Sequence, residues 1–278
     1  MQPLGPSYLA PLFRPLLVEL ITLLRSLNDD AWLSNTLARG WRVRDIAAHL
    51  LDGDLRKISA YRDGHLVPLE APIQSSDDLA RFINTTNASG VAFAQRLSPR
   101  VLTDLLEATG AWVAALIDTL DPQAQSLFAV SWAGELTSLN WMDTGREHTE
   151  RWHHQAQIRD AVGAPRLLAP EWLEPLLDMS VRVLPHAYAT MAAREGTTLT
   201  LAVTGETSAS WSLQRQDETW RLFRGAADAP ATHARFESDT LWRLFYNALS
   251  PDDAMARAEI SGDLELAQPL LRSRSVIV

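Results

Sequence analysis

The sequence predicts a multidomain α and α+β protein: a helical bundle over residues 1–165, then a small α+β domain with an antiparallel sheet over 166–278. Two observations carry this. Up to about residue 165 the apolar residues recur at helical spacing in long segments. Beyond residue 197, short segments alternate apolar and polar residues, as half-buried strands do.

The elements follow in order. Pro15 suits the first turn of a helix running to about Leu27. A second helix follows "GWRVRD", continues through "IAAHLLDGDLRKISAYRDG" and stops at Gly64. "SSDDLARFINTTNASGVAFAQRL" opens on a good N-cap and forms a third. Ser98-Pro99 repeats that signal, so "SPRVLTDLLEATGAWVAALIDTLD" is a continuation or a separate helix. A long helix spans about Leu136 to Val162 and ends at "GAP". "PEWLEPLLDMSVRVLPHAYATMAARE" reads as one more. "TLTLAVTG", "ASWSLQRQ", "TWRLFRG" and "THARFE" read as strands, "SDTLWRLFYNAL" as a helix capped by Ser238, "ARAEISGD" as a short strand and turn, and "LELAQPLL" as a last helix.

The composition narrows the function. With 278 residues and 46% hydrophobic content the chain can bury a core without disulfides, and it has no cysteine. That removes thiolate ligands and a cysteine nucleophile, and it fits a reducing compartment, so the cytoplasm is the expected location. The net charge is −9 and Lys57 is the single lysine, which argues against nonspecific nucleic-acid or anionic-membrane binding. The apolar run "LAPLFRPLLVELITLLRSL" is interrupted by Arg14, Pro15 and Glu19, and is expected to be an amphipathic or buried helix rather than a membrane span.

The densest chemistry lies in "REHTERWHH", residues 146 to 154. Glu150 and His154 stand at i, i+4 on one helix face; Glu150 and His153 form an alternative i, i+3 pair. The face of His154 continues to Ile158 and Ala161, whereas that of His153 continues to Gln157 and Asp160. This favours His154 as the inward residue and leaves His153 and His148 as expected surface residues, with Glu147 in reserve. His49 sits in an apolar frame of Ile46, Ala47, Leu50 and Leu51. Alone it reads as a core histidine. Beside Glu150 and His154 it completes two histidines and a carboxylate, a set that can hold a divalent cation with positions left open. The bland alternative is a charged helix stabilised by Glu–Arg pairs. Asp45 is either a support behind a metal ligand or a first-turn acid, and Trp41 and Trp152 either pack the bundle or wall a pocket.

"GWRVRDIAAHLLDGD", followed about a hundred residues later by "REHTERWHHQAQIRDAVG", resembles the DinB-like metal-binding superfamily, in its mycothiol-dependent maleylpyruvate isomerase branch. "FESDTLWRLFYNALSPDDAMARAEISGDLELAQPLL" is similar to the sterol-carrier-protein-like C-terminal domain of that branch. The resemblance implies an up-down four-helix bundle whose second and last helices supply the metal ligands, here His49, Glu150 and His154, with zinc the expected ion. It also implies a low-molecular-weight thiol cosubstrate: mycothiol, bacillithiol or glutathione. The implied chemistry is a metal-activated thiolate that adds to an electrophile. It then leaves after rotation, as in a cis–trans isomerase, or stays attached, as in an S-transferase. An acidic substrate needs cationic partners, and Arg56, Arg159, Arg221 and Arg224 are the candidates. A non-catalytic metal- and ligand-binding protein and a metal-water hydrolase share the same residues.

Overall fold

The computed structural model describes residues 1–69 and 72–277. In chain order the elements are β1 (Gln2–Pro3), α1 (Phe13–Ser26), α2 (Asp29–Trp32), α3 (Val43–Asp63), α4 (Ser76–Ala94), α5 (Pro99–Ile117), α6 (Asn140–Val162), α7 (Pro170–Ser180), α8 (Leu184–Ala187), β2 (Thr198–Thr204), β3 (Ala209–Gln216), β4 (Thr219–Arg224), β5 (Thr232–Glu237), α9 (Ser238–Phe245), α10 (Pro251–Arg257), β6 (Glu259–Gly262) and α11 (Leu264–Arg272). Short 3-10 turns lie at Ala10–Leu12, Ser131–Ala133 and Val181–Val183. They group into two compact units: Tyr8–Leu127 with Glu150–Arg166, and Met1–Ser7 with Phe128–Thr149 and Leu167–Val278.

The first unit is the helical bundle. Its helix ends follow local chemistry. The Asp45 carboxylate accepts from the Arg42 amide at 2.9 Å at the start of α3, and Gly64 ends that helix at φ 67°. The Ser98 hydroxyl accepts from the Val101 amide and Pro99 occupies the first turn, so α4 and α5 are separate helices. One continuous apolar core joins Leu20, Ile21 and Leu24 of α1, Ile46, Ala47, Leu50 and Leu51 of α3, Leu102 and Leu106 of α5, and Ile158 of α6. The run that ends in α1 is therefore a bundle helix, and among the described residues no helix is long and apolar enough to cross a membrane.

Polar residues also hold the bundle together. Asp54 is fully buried on α3; it accepts from the Thr109 hydroxyl of α5 at 2.7 Å and pairs with Arg151 of α6 at 2.5 Å. Arg159 of α6 pairs with Glu19 of α1 at 2.6 Å.

The second unit contains one six-stranded sheet in the order β1-β4-β3-β2-β5-β6. The sheet is mixed rather than wholly antiparallel: β2 and β5 run parallel, with Leu199 opposite Thr232, while the other pairs are antiparallel. Alternation reports which face of a strand is buried and carries no information about direction, so the sequence does not distinguish these cases. The segment from residue 170 to 195 is not one helix either. Pro185 has no amide hydrogen to continue the ladder, so α7 tightens into the 3-10 turn Val181–Val183 and restarts as α8. The "SGD" turn is structural: Gly262 has φ 90°, a Cβ there would lie 2.1 Å from the Ala231 carbonyl oxygen, and the Asp263 carboxylate caps α11 through the amides of Glu265 and Leu266.

The buried Asp54–Arg151 pair yields a test. Asp54→Ala leaves Arg151 without its buried counter-charge and is expected to lower the unfolding free energy by about 3–5 kcal/mol, measured by urea denaturation. The double variant Asp54→Leu with Arg151→Met recovers part of that loss. A single variant as stable as wild type would show that the pair does not support the bundle.

Candidate metal centre

Two helices of the bundle, α3 and the C-terminal part of α6, bring His49, Glu150 and His154 together. One ligating atom from each lies within 4.8 Å of the others. His154 Nε2 faces Glu150 Oε2 at 3.6 Å, as the i, i+4 spacing dictates. The imidazole rings of His49 and His154 meet edge to face with centroids 4.7 Å apart. Tetrahedral bonds of about 2.0–2.2 Å place donors roughly 3.4 Å apart, so closing on one ion asks for shifts of up to about an ångström.

The surroundings fix the rings. Trp41 packs against His49 at 5.0 Å and stacks on His154 at 6.1 Å between centroids, so it walls the donor set. His153 lies against His154 at 4.0 Å. Trp152 is fully buried and packs the interior. His49 Nδ1 is buried and has no hydrogen-bond partner. Burial first, and the neighbouring His154 second, hold the His49 imidazole well below its ordinary pKa; Glu150 acts in the opposite sense, and the Arg56 charge adds to the lowering. A neutral imidazole is the form that offers a lone pair to a cation.

Two expectations about this helix are corrected. His153 and His148 are buried, not surface residues, at 4% and 0% exposure, and Gln157 is buried at 4%. The polarity of a helix face does not report its exposure when buried polar groups find partners, as Gln157 and His154 do here. Gln157 Oε1 lies 2.9 Å from His154 Nδ1. Asp45 takes the capping role: besides the Arg42 amide it accepts from Gln95 Nε2 at 2.7 Å. Glu147 accepts from the Arg146 guanidinium at 3.4 Å.

Each of the four arginines is engaged by neighbours in its own unit. Arg56 is held by Asp52 Oδ2 at 2.8 Å and Asn87 Oδ1 at 2.9 Å, close enough to His49 for its charge to be felt there. Arg159 is buried and engaged by Glu19 and the Pro165 carbonyl. In the other unit Arg221 pairs with Asp217 at 2.7 Å, and Arg224 pairs with Glu174 at 2.6 Å and with Asp178.

Residues 13–159 match the family described as the mycothiol maleylpyruvate isomerase N-terminal domain. The chain belongs to this family. A crystal structure of the mycothiol-dependent maleylpyruvate isomerase matches with a TM-score of 0.52 at 14% identity, covering 84% of this chain and 86% of that one. A crystal structure of a mutant of the mycothiol-dependent maleylpyruvate isomerase gives 0.54 at 14% identity, with 91% of each chain covered. At this identity the likeness is one of fold. A sterol carrier protein 2 like 2 from Aedes aegypti matches 34% of this chain and 96% of its own at 17% identity, with a TM-score of 0.26, too low to bear on the fold of that region. No curated protein matches the chain.

The depressed His49 pKa gives a pH prediction for metal-free protein. The unfolded imidazole takes up a proton below about pH 6.5 and the folded one resists it, so stability falls as pH drops below that value. His49→Gln is expected to flatten this loss, by up to about 1.4 kcal/mol per pH unit. Identical pH–stability curves for the two proteins would contradict the assignment.

Proposed function

We propose that His49, Glu150 and His154 hold a divalent cation, most suitably zinc, and that the protein is an enzyme using a low-molecular-weight thiol on an electrophilic small molecule. The observation that carries this reading is the meeting of two imidazoles and one carboxylate in a half-buried recess, with His49 Nδ1 lacking any partner from the protein. Two nitrogen donors and one oxygen donor leave coordination positions open, as a catalytic site requires.

A bound divalent cation would supply the positive charge that brings a thiol to its thiolate form near neutral pH. His49 and His154 present neutral lone pairs and Glu150 a negative charge, so the donor set offsets half of a dication's charge and keeps the centre electrophilic. Trp41 covers the two imidazoles and limits the approach of water. Because the chain has no cysteine, the sulfur comes from a cosubstrate, mycothiol by family or else bacillithiol or glutathione.

In the isomerase form of the reaction the thiolate sulfur bonds to one alkene carbon. The π electrons move into the conjugated carbonyl, and the former double bond rotates as a single bond. Return of those electrons expels the thiolate and leaves the trans isomer, with no net consumption of thiol. In the transferase form the adduct takes up a proton and is released. Arg56, fixed by Asp52 and Asn87, is the cation we assign to an acidic substrate. Arg56 is favoured over the other three arginines because its charge acts at His49.

Wild-type protein is expected to bind about one zinc ion per chain and to turn over maleylpyruvate only with thiol present. His49→Ala and His154→Ala should each lose most of the zinc, measured by metal analysis after dialysis. Wild-type zinc content in both variants would overturn the site, and turnover without any thiol would overturn the chemistry. Arg56→Ala should keep its zinc and raise KM for an acidic substrate about tenfold or more.

A further inference from the structure

Gln157 stands one helical turn beyond His154, outside the donor set itself. Its side chain is buried, as is that of His154, and its Oε1 lies 2.9 Å from His154 Nδ1. On the opposite edge of the same ring, Nε2 faces Glu150 Oε2 at 3.6 Å. His154 is thus gripped between two oxygen-bearing side chains of its own helix at i−4 and i+3, the two positions that helix geometry places beside it.

We propose that Gln157 is a positioning residue that sets the tautomer of His154 and thereby the metal affinity of the centre. The inference rests on the metal reading above and goes one step further outward. An amide oxygen only accepts, so the nitrogen it touches carries the hydrogen: Nδ1–H donates to Gln157 Oε1. The remaining nitrogen, Nε2, then carries a lone pair and points toward the Glu150 carboxylate. A lone pair and a carboxylate oxygen at this distance repel each other unless a cation lies between them. The grip on Nδ1 therefore prepares the ring to receive a cation at Nε2. The ring is also clamped from its faces by His153 at 4.0 Å and Trp41 at 6.1 Å between centroids, so the hydrogen bond fixes the one feature that packing does not, the place of the proton. Outer partners of this kind orient ligating histidines and raise their basicity.

The sequence places Gln157 at i+4 from His153 and i+3 from His154, and its residue type suggests a solvated side chain. The burial of this helix face is what turns it toward His154.

The test uses the full chain and zinc ion alone. Dissociation constants are measured by competition with a chromophoric chelator for wild type, Gln157→Met and Gln157→Glu, with thermal melting as a check of folding. Gln157→Met keeps the length and removes the acceptor; affinity is expected to fall about 10- to 100-fold. Gln157→Glu is an acceptor that cannot present an amide N–H in its place, and it should bind at least as tightly as wild type. Nitrogen-15 spectra of metal-free wild type at alkaline pH should place the His154 hydrogen on Nδ1. Wild-type affinity in Gln157→Met, or equal weakening in both variants, would overturn the role of Gln157 while leaving the metal centre standing. If His154→Ala binds zinc as wild type does, the metal reading fails and this inference fails with it.

Discussion

A helix as polar as α6 can be buried only if its side chains satisfy one another and their neighbours. Much of the bundle follows from that constraint. From Arg151 to Asp160 seven of ten residues are buried, and three of the ten, Arg151, Arg159 and Asp160, are charged. An unpaired charge at such depth costs several kcal/mol, so each needs an opposite charge or acceptor within reach. Arg151 takes Asp54 from α3 and Arg159 takes Glu19 from α1. These pairs fix the rotation and height of α6 against α1 and α3. They also settle which of its residues face His49.

The recess that holds His49, Glu150 and His154 is packed differently. There the polar groups meet without completing one another: His49 Nδ1 has no partner, and His154 Nε2 stands off Glu150 Oε2 at 3.6 Å. Two imidazoles and a carboxylate converge there, a donor set able to hold a cation. Burial keeps His49 neutral and therefore ready to ligate.

The sequence made the helices and strands legible wherever a cap or a period marked them. Ser98-Pro99 and Gly64 mark observed helix ends, and the four alternating segments from residue 198 form strands. Ser250-Pro251 carries the same start signal as Ser98-Pro99, and it opens α10, a helix the spacing of apolar residues alone does not reveal. Strand direction was not legible, because alternation is blind to it. Within the site, the i, i+4 relation of Glu150 and His154 is a property of any helix and was readable. The meeting with His49 across about a hundred residues rested on family resemblance. The burial of His153, His148 and Gln157 was hidden, since residue polarity predicts exposure only when no partner compensates burial. The ion pairs that compensate the burial of Arg151 and Arg159 come from helices distant in sequence, so no local pattern announces them.

The decisive property is whether His49, Glu150 and His154 bind one ion together. Zinc-edge X-ray absorption of the zinc-loaded protein addresses this directly. Two imidazole rings and oxygen donors are expected, with the imidazole nitrogens at about 2.0–2.1 Å and the outer-ring scattering of two histidines. His49→Ala and His154→Ala should each remove one ring from the spectrum. A first shell of oxygen alone, or a spectrum unchanged by both variants, would show that the ion binds elsewhere and that this centre is not what α3 and α6 are arranged to hold.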